Sequence, residues 1–77
     1  MALISDAAPT WSAPITLATD ELWQARRGSV FVTTTASPAA NDGLALHENH
    51  AVRLPAGATV SYRKEGITEA LIVREAV

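Results

Sequence analysis

Gly43-Leu-Ala-Leu-His-Glu-Asn-His-Ala-Val-Arg-Leu-Pro-Ala-Gly-Ala-Thr-Val-Ser-Tyr-Arg63 is the stretch that decides the fold. Short runs alternate apolar and polar residues, and turn residues break them about every ten positions, the spacing of a small antiparallel β-protein. Leu44 and Leu46 share one face of a first strand. Glu48-Asn49 reads as a hairpin turn. Val52 and Leu54 point inward from the next strand, Pro55-Ala-Gly57 turns the chain again, and Val60 and Tyr62 point inward from a third.

The pattern extends in both directions. Ser29-Val-Phe-Val-Thr-Thr-Thr has the β-branched and aromatic density of a strand, with Val30, Val32 and Thr34 alternating against Phe31 and Thr33. Before it, Ile15–Thr19 reads as a strand with Ile15 and Leu17 on one face, and Asp20 turns the chain. Glu21–Arg26 reads as a strand or a short helical turn, followed by a turn at Gly28. Between Ala36 and Gly43 lies the main loop, built on Pro38 and Asn41-Asp-Gly43. After Glu65-Gly66 comes Glu69–Glu75, where Leu71, Ile72 and Val73 are consecutive; such a run suits a strand covered on both faces, in a sandwich interior or at a subunit contact. A helix over Ile67–Ala76 competes locally.

These readings predict six to seven short strands. A flat sheet of that number would leave one face wet and two edges open, so the expected fold is all-β, a small antiparallel sandwich or barrel. Residues 14–77 form this domain. Residues 1–13, rich in Ala, Ser and Pro, read as an extended N-terminal arm, because Pro9 and Pro14 favour extended backbone. Such an arm, carrying Trp11, can pack on its own domain or strap a neighbour.

Seventy-seven residues make one domain with a marginal core. Domains of this size are commonly reinforced by disulfides, a metal or oligomerisation. There is no cysteine, which excludes disulfides and thiolate metal sites. Hydrophobic residues make up 48% of the chain, so subunit contacts are the expected reinforcement and a homo-oligomer the expected state. The net charge of −2 is scattered, and Arg26-Arg27 and Arg63-Lys64, the basic pairs, sit beside turns. No basic run tracks a phosphate backbone, so no nucleic-acid partner is expected. No apolar stretch approaches the roughly 20 residues of a membrane-spanning helix, and Met1-Ala-Leu-Ile-Ser-Asp6 lacks the pattern of a signal peptide. Synthesis in the cytoplasm without a membrane partner is the expectation.

His47-Glu48-Asn49-His50 is the cluster closest to a metal site. The zinc-protease pattern needs histidines four apart on a helix. These are three apart in a strand-turn segment, where a solvated turn is the simpler reading, and no metal or cofactor is expected. No Ser or Thr lies in a glycine-flanked nucleophile elbow. Asp20-Glu21 and the pair Glu65 and Glu69 read as turn and edge charges. The chain is therefore not expected to be an enzyme. Among the aromatics, Phe31 and Tyr62 are expected to fill the core and Trp23 to cap its end. Alternatively, exposed Trp11, Trp23 and Tyr62 would form a sugar-stacking platform or interface anchors.

The runs Asn41–Glu48, Ala51–Arg63 and Ala70–Glu75 resemble small structural proteins of tailed bacteriophages and gene-transfer-agent particles. There, a strand like Ser29–Thr33 precedes a Pro-containing loop and a Gly-Leu-x-Leu strand. A Leu-Pro-small-Gly turn then leads into a Tyr-Arg strand and a final strand. The resemblance covers residues 28–76. The Leu54–Gly57 turn is also similar to that of cupin barrels, but the separated metal histidines of that family are not matched. The virion resemblance implies a β-sandwich subunit that decorates or joins parts of a capsid or tail: a decoration protein, a head spike or fibre base, or an adaptor. It implies symmetric oligomers, other virion proteins as partners, and residence in the virion after synthesis in the host cytoplasm. The residues expected to carry assembly are Leu3, Ile4, Trp11, Trp23, Leu71, Ile72 and Val73. The competing reading is a carbohydrate- or receptor-binding β-module.

Overall fold

The computed structural model describes residues 2–77. They form eight strands: β1 (Ala2–Ile4), β2 (Ile15–Thr16), β3 (Glu21–Arg27), β4 (Val30–Thr33), β5 (Leu44–Leu46), β6 (Ala51–Leu54), β7 (Thr59–Lys64) and β8 (Leu71–Ala76). Seven fall on the runs expected to be extended. Glu21–Arg27 resolves as strand, and Leu71–Ala76 is strand where a helix competed. The eighth, β1, lies in the segment read as an arm. Its Ile4 is buried in the core, so these residues belong to the sandwich.

Two four-stranded antiparallel sheets face each other. Sheet A has the order β1-β8-β3-β6 and sheet B the order β2-β7-β4-β5. The pairs β1·β8, β2·β7, β3·β6 and β4·β5 make the chain one long antiparallel ribbon whose tip is the loop between β4 and β5. The pairs β3·β8 and β4·β7 roll that ribbon up. This is the strand order of an eight-stranded jelly roll. Only the β4–β5 connection returns to its own sheet; every other one crosses to the opposite sheet. Glu48-Asn49, read as a hairpin turn, is therefore an arch from β5 in sheet B to β6 in sheet A. Period-2 alternation looks the same on either side of a hairpin or an arch, so local pattern does not separate them.

The four edge strands are two to four residues long, whereas β3, β7 and β8 run to six or seven. Short edges leave few unpaired backbone groups for unwanted pairing. Between the sheets, Trp23 and Ala25 of β3 and Ile72 of β8 meet Val30 and Val32 of β4 and Val60 and Tyr62 of β7. Trp23, expected to cap the core, is 0% exposed and lies at its centre, with its ring 6.0 Å from that of Tyr62. A bulge between Ala25 and Arg27 ends the regular β3·β8 ladder, and Gly28 then turns the chain with φ +71°. A Cβ there would lie 2.8 Å from the Glu69 carbonyl oxygen, which together with the left-handed backbone requires glycine.

Candidate interaction surface

The histidine turn serves the fold. The His50 N–H donates to the His47 carbonyl (2.9 Å), and Asn49 takes the left-handed backbone (φ +74°) that tightens the turn. The arch is sewn to β3: the Asn49 N–H donates to the Ala25 carbonyl and the Ala25 N–H to that of His50. Glu48 accepts from the Gly28 N–H (3.1 Å), which ties this arch to the neighbouring one. The His47 and His50 rings meet edge to face at 5.6 Å, and His47 Nδ1 lies 3.3 Å from Ser29 Oγ. Among the described residues, no three His, Cys, Asp or Glu side chains gather as metal ligands.

Sheet B has its outer face covered by its own chain. The Lys64 N–H donates to the Ala8 carbonyl, and Ser12 exchanges two hydrogen bonds with the Tyr62 backbone, so residues 8–12 lie along β7. Trp11 Nε1 donates to the Ala39 carbonyl at 2.8 Å. The Arg63 guanidinium sits 4.2 Å from the Phe31 ring centroid and 5.2 Å from that of Trp11, and it donates to the Ala40 carbonyl. These cation–π contacts and hydrogen bonds clamp the main loop onto the sheet. Trp11, expected at an interface, is thus half-buried against its own domain. Phe31, expected in the core, lies on this outer face, because Val30 and Val32 take the two inward positions of β4. Gly43 lets the loop close: a Cβ there would meet the Val32 carbonyl oxygen at 2.6 Å and Trp11 at 3.1 Å.

Polar contacts also line the inward faces, one cluster within sheet A and one at Tyr62 of sheet B. Glu21 and Arg74 form a two-pronged ion pair, Nε to Oε1 and Nη2 to Oε2, each 2.9 Å. Trp23 Nε1 also donates to Glu21, at 3.0 Å, and the Arg74 guanidinium lies over the Trp23 ring. The Arg74 hydrogen bond holds the Glu21 carboxyl below its ordinary range against the opposing effect of burial, and the Trp23 bond adds to it. Arg74 is raised in turn by Glu21. Tyr62 donates to Asp6 at 2.8 Å; burial, then that hydrogen bond, push its phenol up to about 12. At the β2–β3 arch, Asp20 accepts from the Ala56 N–H and from Arg53, which lower its pKa in that order.

The outer face of sheet A is different. Register places Leu3, Val73, Gln24 and Ala51 side by side across all four strands. The next row holds Glu75, Leu22 and Arg53. Leu3 is 55% exposed and Leu22 39%, while Val73 between them is only 6% exposed. Leu22, Gln24, Arg26, Ala51, Val73 and Glu75 line a shallow groove of about 190 Å³. Of the residues expected at an interface, the structure brings Leu3 and Val73 together here, with half-buried Leu71 farther along the same strand. Ile4, Trp23 and Ile72 point the other way and fill the core, because alternation sends each strand's neighbouring residues to opposite faces. Leu22 escaped the sequence reading. Its signal was an apolar residue between Glu21 and Trp23 in a run whose inward positions are Trp23 and Ala25.

No protein-family model, curated protein or solved structure matches this chain.

Proposed function

We propose that this chain is a structural component of a phage or phage-like particle. It is a small β-subunit that decorates or joins parts of the capsid or tail, resides in the virion, and makes symmetric contacts with its own copies and with other virion proteins. The observation that carries this reading is the outer face of sheet A, where exposed Leu3 and Leu22 flank Val73 within a charged rim. Apolar side chains gathered on one exposed face and rimmed by polar groups mark an interaction surface. The sequence resemblance over residues 28–76 supplies the particle. The jelly-roll order is one that capsid domains use, as do lectins and cupins, so it supports the reading by analogy alone.

A carbohydrate-binding role would need a different surface from the aromatic platform, because Trp23 and Tyr62 face the core. Such a role falls instead to the groove lined by Ser12, Thr34, Thr35, Ser37, Thr59 and Ser61, whose hydroxyls offer donors and acceptors without an exposed stacking ring.

The test is composition. Tailed particles purified on gradients from the producing strain should contain the chain at a fixed copy number per major capsid subunit, measured by quantitative peptide mass spectrometry. A chain that stays in the soluble fraction and is missing from the particles overturns the proposal.

A further inference from the structure

We infer that the outer face of sheet A is a two-fold contact between two copies of this chain. The inference deepens the structural reading above and rests on it for its setting, but its physical argument is separate.

Charge placement selects a second copy as the occupant. The shallow groove has Arg26 at one end and Glu75 at the other, with Val73 and Gln24 between them. Both charged side chains are exposed, and among the described residues neither has an ion-pair partner, whereas Arg27, Arg53 and Arg74 are each paired within the fold. A surface with opposite charges at its two ends and uncharged residues between is self-complementary. A two-fold axis in the plane of the contact, crossing the line from Arg26 to Glu75 at its midpoint, sets each Arg26 against the second copy's Glu75. Both pairs form at once, as an isologous contact requires. The same operation closes Leu3, Leu22 and Val73 between the copies, away from water. Val73 is already covered within one copy, so the gain on association falls on Leu3 and Leu22. Opposite charges at the rim fix register and suppress wrong pairings more than they add affinity.

The bulge in β3 prepares this surface. It interrupts the β3·β8 ladder between Ala25 and Arg27 and leaves Arg26 at the irregular position, at the end of the groove away from Glu75. Bulges re-aim side chains at sheet surfaces in this way.

The experiment is sedimentation velocity on the full chain, from low micromolar to millimolar concentration. Wild type should show a monomer–dimer equilibrium. Leu22→Arg should abolish the dimer. Arg26→Glu and Glu75→Arg should each weaken it by about tenfold, because each places like charges in both rim contacts. An equimolar mixture of these two variants should recover the dimer as a heterodimer, since every rim pair in the mixture is again opposite in sign. Matching circular dichroism and melting curves would show that the substitutions leave the fold alone. A wild-type chain that stays monomeric throughout overturns the inference and leaves the face to a different protein. A mixture that fails to dimerise better than either variant overturns the two-fold geometry. This result is independent of the particle test: a dimer missing from particles leaves the contact standing without the function, and a monomer found in particles does the reverse.

Discussion

The two outer faces of this sandwich solve one problem in opposite ways. Sheet B carries Phe31 and Arg63 outward and covers them with its own chain, using Trp11 and the backbone of Ala39 and Ala40. Sheet A carries Leu3, Leu22 and Val73 outward, and no segment of the described chain lies over the two leucines. The same chain therefore holds one face closed and one face open. A domain of this size gains stability from the closed face and is left with a surface for association on the open one. The difference predicts that substitutions on the sheet B side act on folding, and those on the sheet A side act on assembly.

The largest effect is expected at the hinge of the closed face. Gly43→Val combines a left-handed backbone (φ +94°) with a clash against the Val32 carbonyl oxygen, and should cost about 3 kcal/mol or more of unfolding free energy. Trp11→Ala strips the cover from sheet B, removing half-buried apolar area, a cation–π partner and a hydrogen bond; a loss of about 2 kcal/mol in urea denaturation is expected. A native-like melting curve for this variant would erase the distinction between the faces.

Between the faces, Tyr62→Phe removes the hydrogen bond to Asp6 and should cost about 1 kcal/mol. The wild-type phenol also gives the layer an alkaline limit. Its folded pKa of about 12 lies above the ordinary 10.0, so its contribution is complete below pH 10.0 and is lost as pH rises toward 12. Glu21 sets the acid limit with the opposite sign. Its folded pKa lies below its ordinary 4.5, so its contribution is complete well above 4.5 and is lost as pH falls below that value. Thermal melts across pH should show Glu21→Gln flattening the acid limb, with little change in the alkaline limb.

The smallest folding effect belongs to the open face. Leu22→Ser should change monomer stability by less than about 1 kcal/mol, because Leu22 is 39% exposed and packs only at the surface of the sheet. A loss comparable to that of Trp11→Ala would mean that the face is closed after all. Measured under identical conditions in urea, Trp11→Ala should cost clearly more stability than Leu22→Ser.

The sequence was legible where the physics is local. Alternation, β-branched density and the turn residues Asp20, Gly28, Asn41-Asp-Gly43 and Pro55-Ala-Gly57 marked seven of the strands close to where they lie, with Glu21–Arg27 left open between strand and helical turn. Alternation also sends Leu22 outward once Trp23 and Ala25 face inward. Expectations missed where residues compete for the same role. Phe31 outranks valine in size, yet the valines hold the inward positions of β4. Ile72 lies between Leu71 and Val73, and in such a run nothing local says which residue faces the core.

Local patterning carries the class and the punctuation: short strands, tight turns, and a chain without disulfides. Which strands become neighbours is settled only by long-range packing. Ala2 pairs with Arg74 and Ile15 with Val60, across separations at which side-chain alternation carries no memory of its partner. Whether a turn is a hairpin or an arch follows from that pairing, and so does the fate of residues 2–13. Those pairings close Trp11 over sheet B and leave Leu3 and Leu22 open on sheet A. Period-2 patterning fixes a strand's two faces relative to each other, whereas only the packing of whole sheets assigns one face to the core and the other to water or a partner.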